Sequence, residues 1–457
     1  MKTGHIKRSD LPVGSRFDPT FHLSEGIAVR HMLSNMPYPL LRVWDVASRI
    51  FIGGRARRVY VTKRENGIPF LSSSDILQAD LENVKLASKK YTPDIEGMTL
   101  QRGWTLISRS GTIGNCAFAT RKHAQKLASE DVIRLAPNNI LIEGVIYAFL
   151  ASRYGHSMLT QGTFGNVIQH IEPDFVGNLP IPHFPTNFQN EIDGLIQESS
   201  TLREKATDLL EEAKNLLIDF INTDYIPRSG IRTQSQNIRN LTNSLRTRID
   251  SVVYINSGRE MLTQTKRELV LLKECDIKIW YPGMFKRAYV KNGYPYIKGS
   301  EAYLNDPFRV CAYLSRTKTP KLDQLWLKEG MILLSCAGNC GLPKLITKEY
   351  EEKEAIGSPD IIRIKSNDPL FTKEYLFTYF SLPAIYDYMQ SLKYGSVIER
   401  FDAEHTENIP IVKPTPELSK EITEIISKYM DCTYRAFKAE EKAISMVEAE
   451  IEKWNQN

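Results

Sequence analysis

Two stretches of the chain carry apolar residues at seven-residue intervals. After Thr186, one line runs Phe188, Leu195, Leu202, Leu209 and Leu216, and a second runs Ile192, Ala206, Ala213 and Phe220, with Ser199 as a polar interruption. After Thr415, the lines are Leu418, Ile425, Cys432, Ala439 and Met446, and Ile422, Tyr429, Ala436 and Ala443. Heptads sustained in this way predict long helices that pair along an apolar seam. The small residues Ala206, Ala213, Ala436, Ala439 and Ala443 let two backbones approach closely. Thr186 and Thr415 stand where N-caps are expected. Two arrangements are open: each helix packs on its own body, or the two pair within the chain. The repeated order of body then helix favours pairing, in an antiparallel sense.

The remaining pattern is of short apolar runs bounded by Gly, Pro, Ser and Asn. Arg58–Thr62, Trp104–Ser108, Met331–Ser335 and Ile361–Ile364 read as strands, and Glu143–Ser152 and Lys373–Ser391 as helices within the bodies. Leu179-Pro180-Ile181-Pro182 and Ile409-Pro410-Ile411-Val412 read as extended straps, since proline donates no backbone hydrogen bond.

These features recur at an offset of about 230 residues. Ser15-Arg16-Phe17-Asp18 returns as Thr247-Arg248-Ile249-Asp250. Ile50–Gly54 with Arg57–Val61 returns as Ile279–Gly283 with Lys286–Val290. Gly67–Phe70 matches Gly293–Tyr296, and Ser108–Gly114 matches Ser335–Gly341. Phe164–Ile168 matches Tyr394–Ile398, and Asn178–Ile181 matches Asn408–Ile411. The matches are collinear, and the period far exceeds the roughly 20–50 residues of a solenoid repeat. The chain is therefore read as a duplicated domain of α+β class, each copy a mixed body followed by a long helix. The expected boundaries are 1–185, 186–222, 223–414 and 415–457.

Composition narrows the class. With 42% hydrophobic and 25% charged residues, the chain is of globular type, and its 457 residues suit two or three domains. No apolar run approaches the roughly 20 residues of a membrane helix. Met1–Asp10 has no signal-peptide core, and six cysteines do not make a disulfide framework, so a reducing cytoplasm is expected. The net charge of +5 is unevenly spread: 186–222 carries −5, 415–457 carries −3, and the rest +13. Basic bodies set apart by acidic helices point to a polyanion for the bodies and another role for the helices.

Catalytic motifs are missing. No Gly-Lys dipeptide exists, which excludes a phosphate-binding G-x-x-x-x-G-K-[ST] loop. No Asp or Asn precedes two prolines and an aromatic residue, as adenine methyltransferases require. Cys336 and Cys340 lack further ligands at metal spacing, and the eight histidines are scattered.

Tandem bodies ending in Phe164-Gly165-Asn166-Val167-Ile168 … Asn178-Leu179-Pro180-Ile181-Pro182 and Tyr394-Gly395-Ser396-Val397-Ile398 … Asn408-Ile409-Pro410-Ile411, each followed by a heptad helix, resemble the specificity subunit of type I restriction–modification systems. Ser110-Gly111-Thr112-Ile113-Gly114 is similar to that family's loop in its first target-recognition domain. The second copy departs from it with Ala337-Gly338-Asn339-Cys340-Gly341, and with Val412 in place of Pro182. The resemblance implies a non-catalytic reader of double-stranded DNA that docks adenine methyltransferase subunits, expected to number two, and through them restriction/translocase subunits. It implies no cofactor in this chain; S-adenosylmethionine, ATP and Mg belong to the other subunits. It also implies that each body reads half of a gapped, asymmetric site. Helices of about 36 residues, roughly 54 Å at 1.5 Å per residue, then span one to one and a half turns of duplex.

Candidate DNA contacts follow from the basic segments. Arg42–Asn66 holds Arg55, Arg57, Arg58, Lys63 and Arg64 among its seven bases, and Ile279–Lys298 holds Lys286, Arg287, Lys291 and Lys298 with six aromatic residues. Lysine and arginine neutralise phosphates, and arginine also forks onto guanine O6 and N7. Ser110, Gln161, Thr163, Lys393 and Tyr394 join them as residues of the glycine-bearing loops. The rival readings are a protein-interaction scaffold without DNA and a fused DNA-modifying enzyme.

Overall fold

The structure is a computed structural model and describes residues 19–55, 57–163, 169–223, 225, 235, 237, 248–336, 340–395 and 399–455. The motifs at 15–18, 164–168, 337–339 and 396–398, and Thr247, lie outside them. The chain divides into two compact units, one of residues 1–204 with 435–457 and the other of 205–434.

In the first unit the strands are β1 (Leu40–Arg42), β2 (Ala47–Ile52), β3 (Tyr60–Val61), β4 (Gly67–Leu71), β5 (Leu86–Ser88), β6 (Thr105–Ser108), β7 (Cys116–Phe118), β8 (Leu127–Ala128), β9 (Val132–Pro137) and β10 (Pro180–Pro182). They form a four-stranded antiparallel sheet β2-β9-β6-β7, a mixed sheet β3-β5-β4-β8 and the pair β1-β10. In the second unit the strands are β11 (Leu269–Leu271), β12 (Ile277–Trp280), β13 (Tyr289–Val290), β14 (Tyr294–Ile297), β15 (Ala312–Leu314), β16 (Ile332–Ser335), β17 (Pro343–Leu345), β18 (Ile356–Gly357), β19 (Ile361–Ser366) and β20 (Pro410–Val412). Their order, β12-β19-β16-β17, β13-β15-β14-β18 and β11-β20, repeats the first unit strand for strand. The parallel pairing recurs as well, β4 with β8 and β14 with β18.

Some local expectations need correction. Lys373–Ser391 is two helices, Lys373–Phe380 and Pro383–Leu392, because Pro383 supplies no N–H and starts a new first turn. In the first unit Glu143–Ala151 likewise gives way to Arg153–Gln161, where the Ser152 side chain accepts from Gly155 N at 3.1 Å. Thr186 is the first residue of its helix and not its cap, whereas Thr415 Oγ1 accepts from Leu418 N at 3.2 Å. The proline straps are paired strands: Pro180 to Pro182 run against Arg42 to Leu40. A strand paired on one side only tolerates prolines whose missing N–H faces away.

The two long helices, Thr186–Ile221 and Pro416–Lys453, each begin in one unit and end in the other. In the first unit Ile192 and Ile196 share a core with Ala443, Ile444, Val447 and Ile451, together with Tyr147, Phe149 and Phe184 of the body. In the second, Ala213, Leu217 and Ile221 share a core with Leu418, Ile422, Ile425, Ile426 and Met430, and with Tyr375, Phe380 and Ile411. The start of one helix therefore lies with the end of the other in each unit, so they pair antiparallel. Both arrangements left open by the heptads occur at once. That is why the buried stripe is wider than the seam: Ile426, Met430, Phe437, Ile444 and Ile451 are buried outside the heptad lines. Replacing Ile451 with Ala should lower the stability of the first unit by about 2–5 kcal/mol. Amide exchange along β2, β6 and β9 would speed up accordingly; unchanged protection there would show that the helix end does not close this core.

A buried arginine ties the two sheets together in each unit. Along β9, Ile133 and Leu135 enter the helix-covered core, while Val132 and Arg134 face the second sheet. The Arg134 guanidinium, fully buried, donates to the carbonyls of Val132 (2.9 Å), Ser129 (3.3 Å), Ala128 (2.5 Å) and Met98 (3.3 Å). Arg363 repeats this with Ile361 (2.7 Å), Ser358 (3.3 Å), Gly357 (2.8 Å) and Leu325 (3.3 Å). Burial pulls both guanidinium groups down to about 10.

Candidate nucleic-acid interface

In the first unit three turns meet at a cleft of about 460 Å3, lined by Ile52, Gly53, Arg55, Arg109, Ser110, Glu130, Asp131 and His170. The first turn leaves β2, the second joins β6 to β7, and the third joins β8 to β9. The β6–β7 turn is closed by Gly114 N donating to Ser108 O at 2.9 Å, with Gly111 and Gly114 at positive φ, where a side chain would be strained. Arg109 N donates to Asp131 O at 2.9 Å, which fixes the second turn to the third.

The side chains at the cleft are largely paired by charge. Glu130 lies 2.9 Å from Arg58 and 3.8 Å from Arg55, and Asp131 is 3.9 Å from Arg58. Arg55 remains 90% exposed, while Glu130 is only 16% exposed beneath the two arginines. Arg109 is paired with Glu172 at 2.5 Å. The Arg58 guanidinium also lies over the Phe70 ring, 5.5 Å from its centre.

The second unit keeps the frame and changes the chemistry. Gly341, also at positive φ, donates to Ser335 O at 3.0 Å, and Cys336 N donates to Asp360 O at 3.2 Å. Cys336 thus stands where the first unit has Arg109, and burial, with Asp360 nearby, pushes its thiol up to about 12. Arg400, 3.9 Å from Asp360, replaces His170. Met284, 71% exposed, replaces Arg55, and Pro359 replaces Glu130. Arg287 replaces Arg58, lies over the Tyr296 ring at 5.8 Å, and donates to the Tyr296 hydroxyl at 2.8 Å.

The other expected contact residues are dispersed. Arg57, Lys286 and Lys291 are exposed. Lys63 pairs with Glu65, Arg64 with Glu82, and Lys298 with Glu301. Gln161 is buried, accepting from Arg30 and donating to Phe21 O, so its amide is used inside the fold. Thr163 is half-buried at the end of Arg153–Gln161. Lys393 pairs with Glu399 at 2.6 Å. Tyr394 donates to Asp402 at 2.8 Å and stacks on His405. Burial raises the Asp402 carboxyl, but hydrogen bonds from His405 and Tyr394 outweigh it and bring the group down to about 2.

Sequence reasoning placed Arg55, Arg58 and Ser110 in the region of the cleft but missed Arg109, Glu130, Asp131 and His170. These come from turns far apart in the chain. One signal was present: Ser129 and Asp131 recur as Ser358 and Asp360 at the repeat offset, with Glu130 changed to Pro359.

Comparison with known proteins bears on this repeated frame. Residues 284–445 match the family model described as the type I restriction modification DNA specificity domain. Over those residues the chain is similar to a type I specificity domain. No curated protein matches the chain. Among solved structures, the type I restriction-modification S subunit from M. genitalium is similar at 12% identity and a TM-score of 0.35, over 92% of this chain and 96% of that one. The HsdS subunit from Thermoanaerobacter tengcongensis is similar at 12% identity and a TM-score of 0.28, over 91% of this chain and 96% of that one. Among the described residues, no helix is long and apolar enough to cross a membrane, and no group of three metal-ligating side chains occurs.

Proposed function

We propose that the chain is the recognition subunit of a type I restriction–modification complex, with each unit reading one half of a gapped, asymmetric DNA site. The observation that carries this is the repeated frame with unlike side chains: one topology presents Arg55, Arg109, Glu130 and His170 in one unit, and Met284, Cys336, Pro359 and Arg400 at the same places in the other. The match of 284–445 to a DNA specificity domain supports it. The paired long helices set the gap and dock two adenine methyltransferase subunits, through which restriction subunits join. S-adenosylmethionine, ATP and Mg are bound by those subunits, and the complex works in the cytoplasm.

Two experiments test the reading. Mapping modified adenines in the source genome should show a two-part motif that loses methylation when the gene is deleted; an unchanged map would refute it. Inserting one heptad into each long helix, so that the pairing is kept, should lengthen the gap between the two half-motifs, and a gap of unchanged length would eliminate the ruler.

A further inference from the structure

Arg58 and Arg287 occupy the same place in the two copies, 229 residues apart, each with its guanidinium over the ring of an equivalent aromatic residue, Phe70 or Tyr296. Each is also held at one edge by a different group: the Glu130 carboxylate at 2.9 Å, or the Tyr296 hydroxyl at 2.8 Å. An aromatic residue beside the guanidinium and an acceptor at its edge restrict the side chain's freedom and leave its remaining donors pointing in a set direction. Arg58 is still 37% exposed, so those donors are accessible.

The surroundings indicate what they address. Around Arg58 the charges balance, Arg55 and Arg58 against Glu130 and Asp131. A phosphate brought there would meet two carboxylates, and the ion-paired arginine has little net charge with which to hold it. A base edge suits the same atoms. Guanine offers O6 and N7 to an arginine fork, and its paired cytosine offers an N4 amino group to a carboxylate. Around Arg287 the place of Glu130 is taken by Pro359 and Asp360 stands 3.9 Å from Arg400, while the aromatic residue persists and its hydroxyl supplies the edge acceptor.

We propose that Arg58 and Arg287 are equivalent base-reading side chains, one for each half of the recognised site, each directed to a guanine, with Glu130 and the Tyr296 hydroxyl as their positioning groups. This rests on the DNA-reading function proposed above and names its specificity determinants.

The test uses the full chain expressed with its methyltransferase partners, with methylated adenines mapped genome-wide. R58K keeps the charge but loses the fork. It should relax the guanine requirement at one position of one half-motif, with discrimination falling about tenfold or more, and leave the other half unchanged. R287K should do the same in the other half. E130A should relax the position that R58K relaxes, and Y296F the position that R287K relaxes. A purely structural ion pair would instead lower methylation of all sites together. Uniform weakening with an intact motif, an unaltered map, or complete loss of methylation in the lysine variants would each overturn the proposal. Absence of any gapped motif with the unmodified chain would instead count against the DNA-reading function itself.

Discussion

Replacing Arg134 with Met is expected to cost the first unit about 3–5 kcal/mol, and Arg363→Met to cost the second a similar amount. Among the described residues the guanidinium has no carboxylate within ion-pair distance; its charge is balanced by carbonyl dipoles from β9, from the turn and strand of β8, and from the residue ending the short helix Ile95–Met98. Methionine fills the space but donates nothing. The carbonyls of Ser129, Val132, Ala128 and Met98 then lose a charged donor in a site that water does not reach. A lysine at either position should fare little better, because one ammonium cannot serve the same spread of carbonyls that a planar fork does. Denaturant titration of the full chain would read the loss, and a change below about 1 kcal/mol would show that the arginine is not what joins the sheets.

Acid is expected to weaken the first unit before the second, starting below pH 6.5. The His123 ring is buried; its Nδ1 accepts from Thr120 N at 3.2 Å and its Nε2 donates to Ile76 O at 3.1 Å. A second proton on Nδ1 would face a backbone donor. Burial, with Lys126 and Arg203 adding repulsion, pulls the group down to about 4. Between pH 6.5 and 4 the unfolded chain therefore takes up a proton that the folded unit refuses, and stability falls as the pH drops through that window. The whole loss is about 3 kcal/mol. The equivalent residue in the second unit is Tyr350, whose hydroxyl donates to Ala302 O and stays neutral across this range. His123→Gln should flatten the pH dependence of the first unit's unfolding between 6.5 and 4; a slope that persists would assign it to other groups.

The duplication and the two heptad helices were legible because self-similarity and period require no knowledge of what lies across the fold. The cost of that reading was a stripe drawn too narrow. Heptads report the seam between helices, whereas Ile444 and Ile451 are buried against a body. Arg134 was invisible for a different reason. Ile133-Arg134-Leu135 looks like a strand with one wet face, yet both faces of β9 are covered. Its recurrence as Ile362-Arg363-Ile364 at the repeat offset was the available hint. The basic segments led to Arg55 and Arg58, but a count of charges could not reveal that Glu130 sits beneath both.

The cores described above also set an order of events during synthesis. The second unit is built from one continuous stretch, 205–434, and can close as soon as that stretch has left the ribosome. The first unit begins earlier but lacks the side chains of Ala443, Ile444, Val447 and Ile451 until the end of the long helix has been made. At about 5–20 residues per second, the roughly 230 intervening residues take on the order of ten to fifty seconds. Through that interval the nascent N-terminal body carries an open apolar surface, and the part of the protein translated first is the last to be finished.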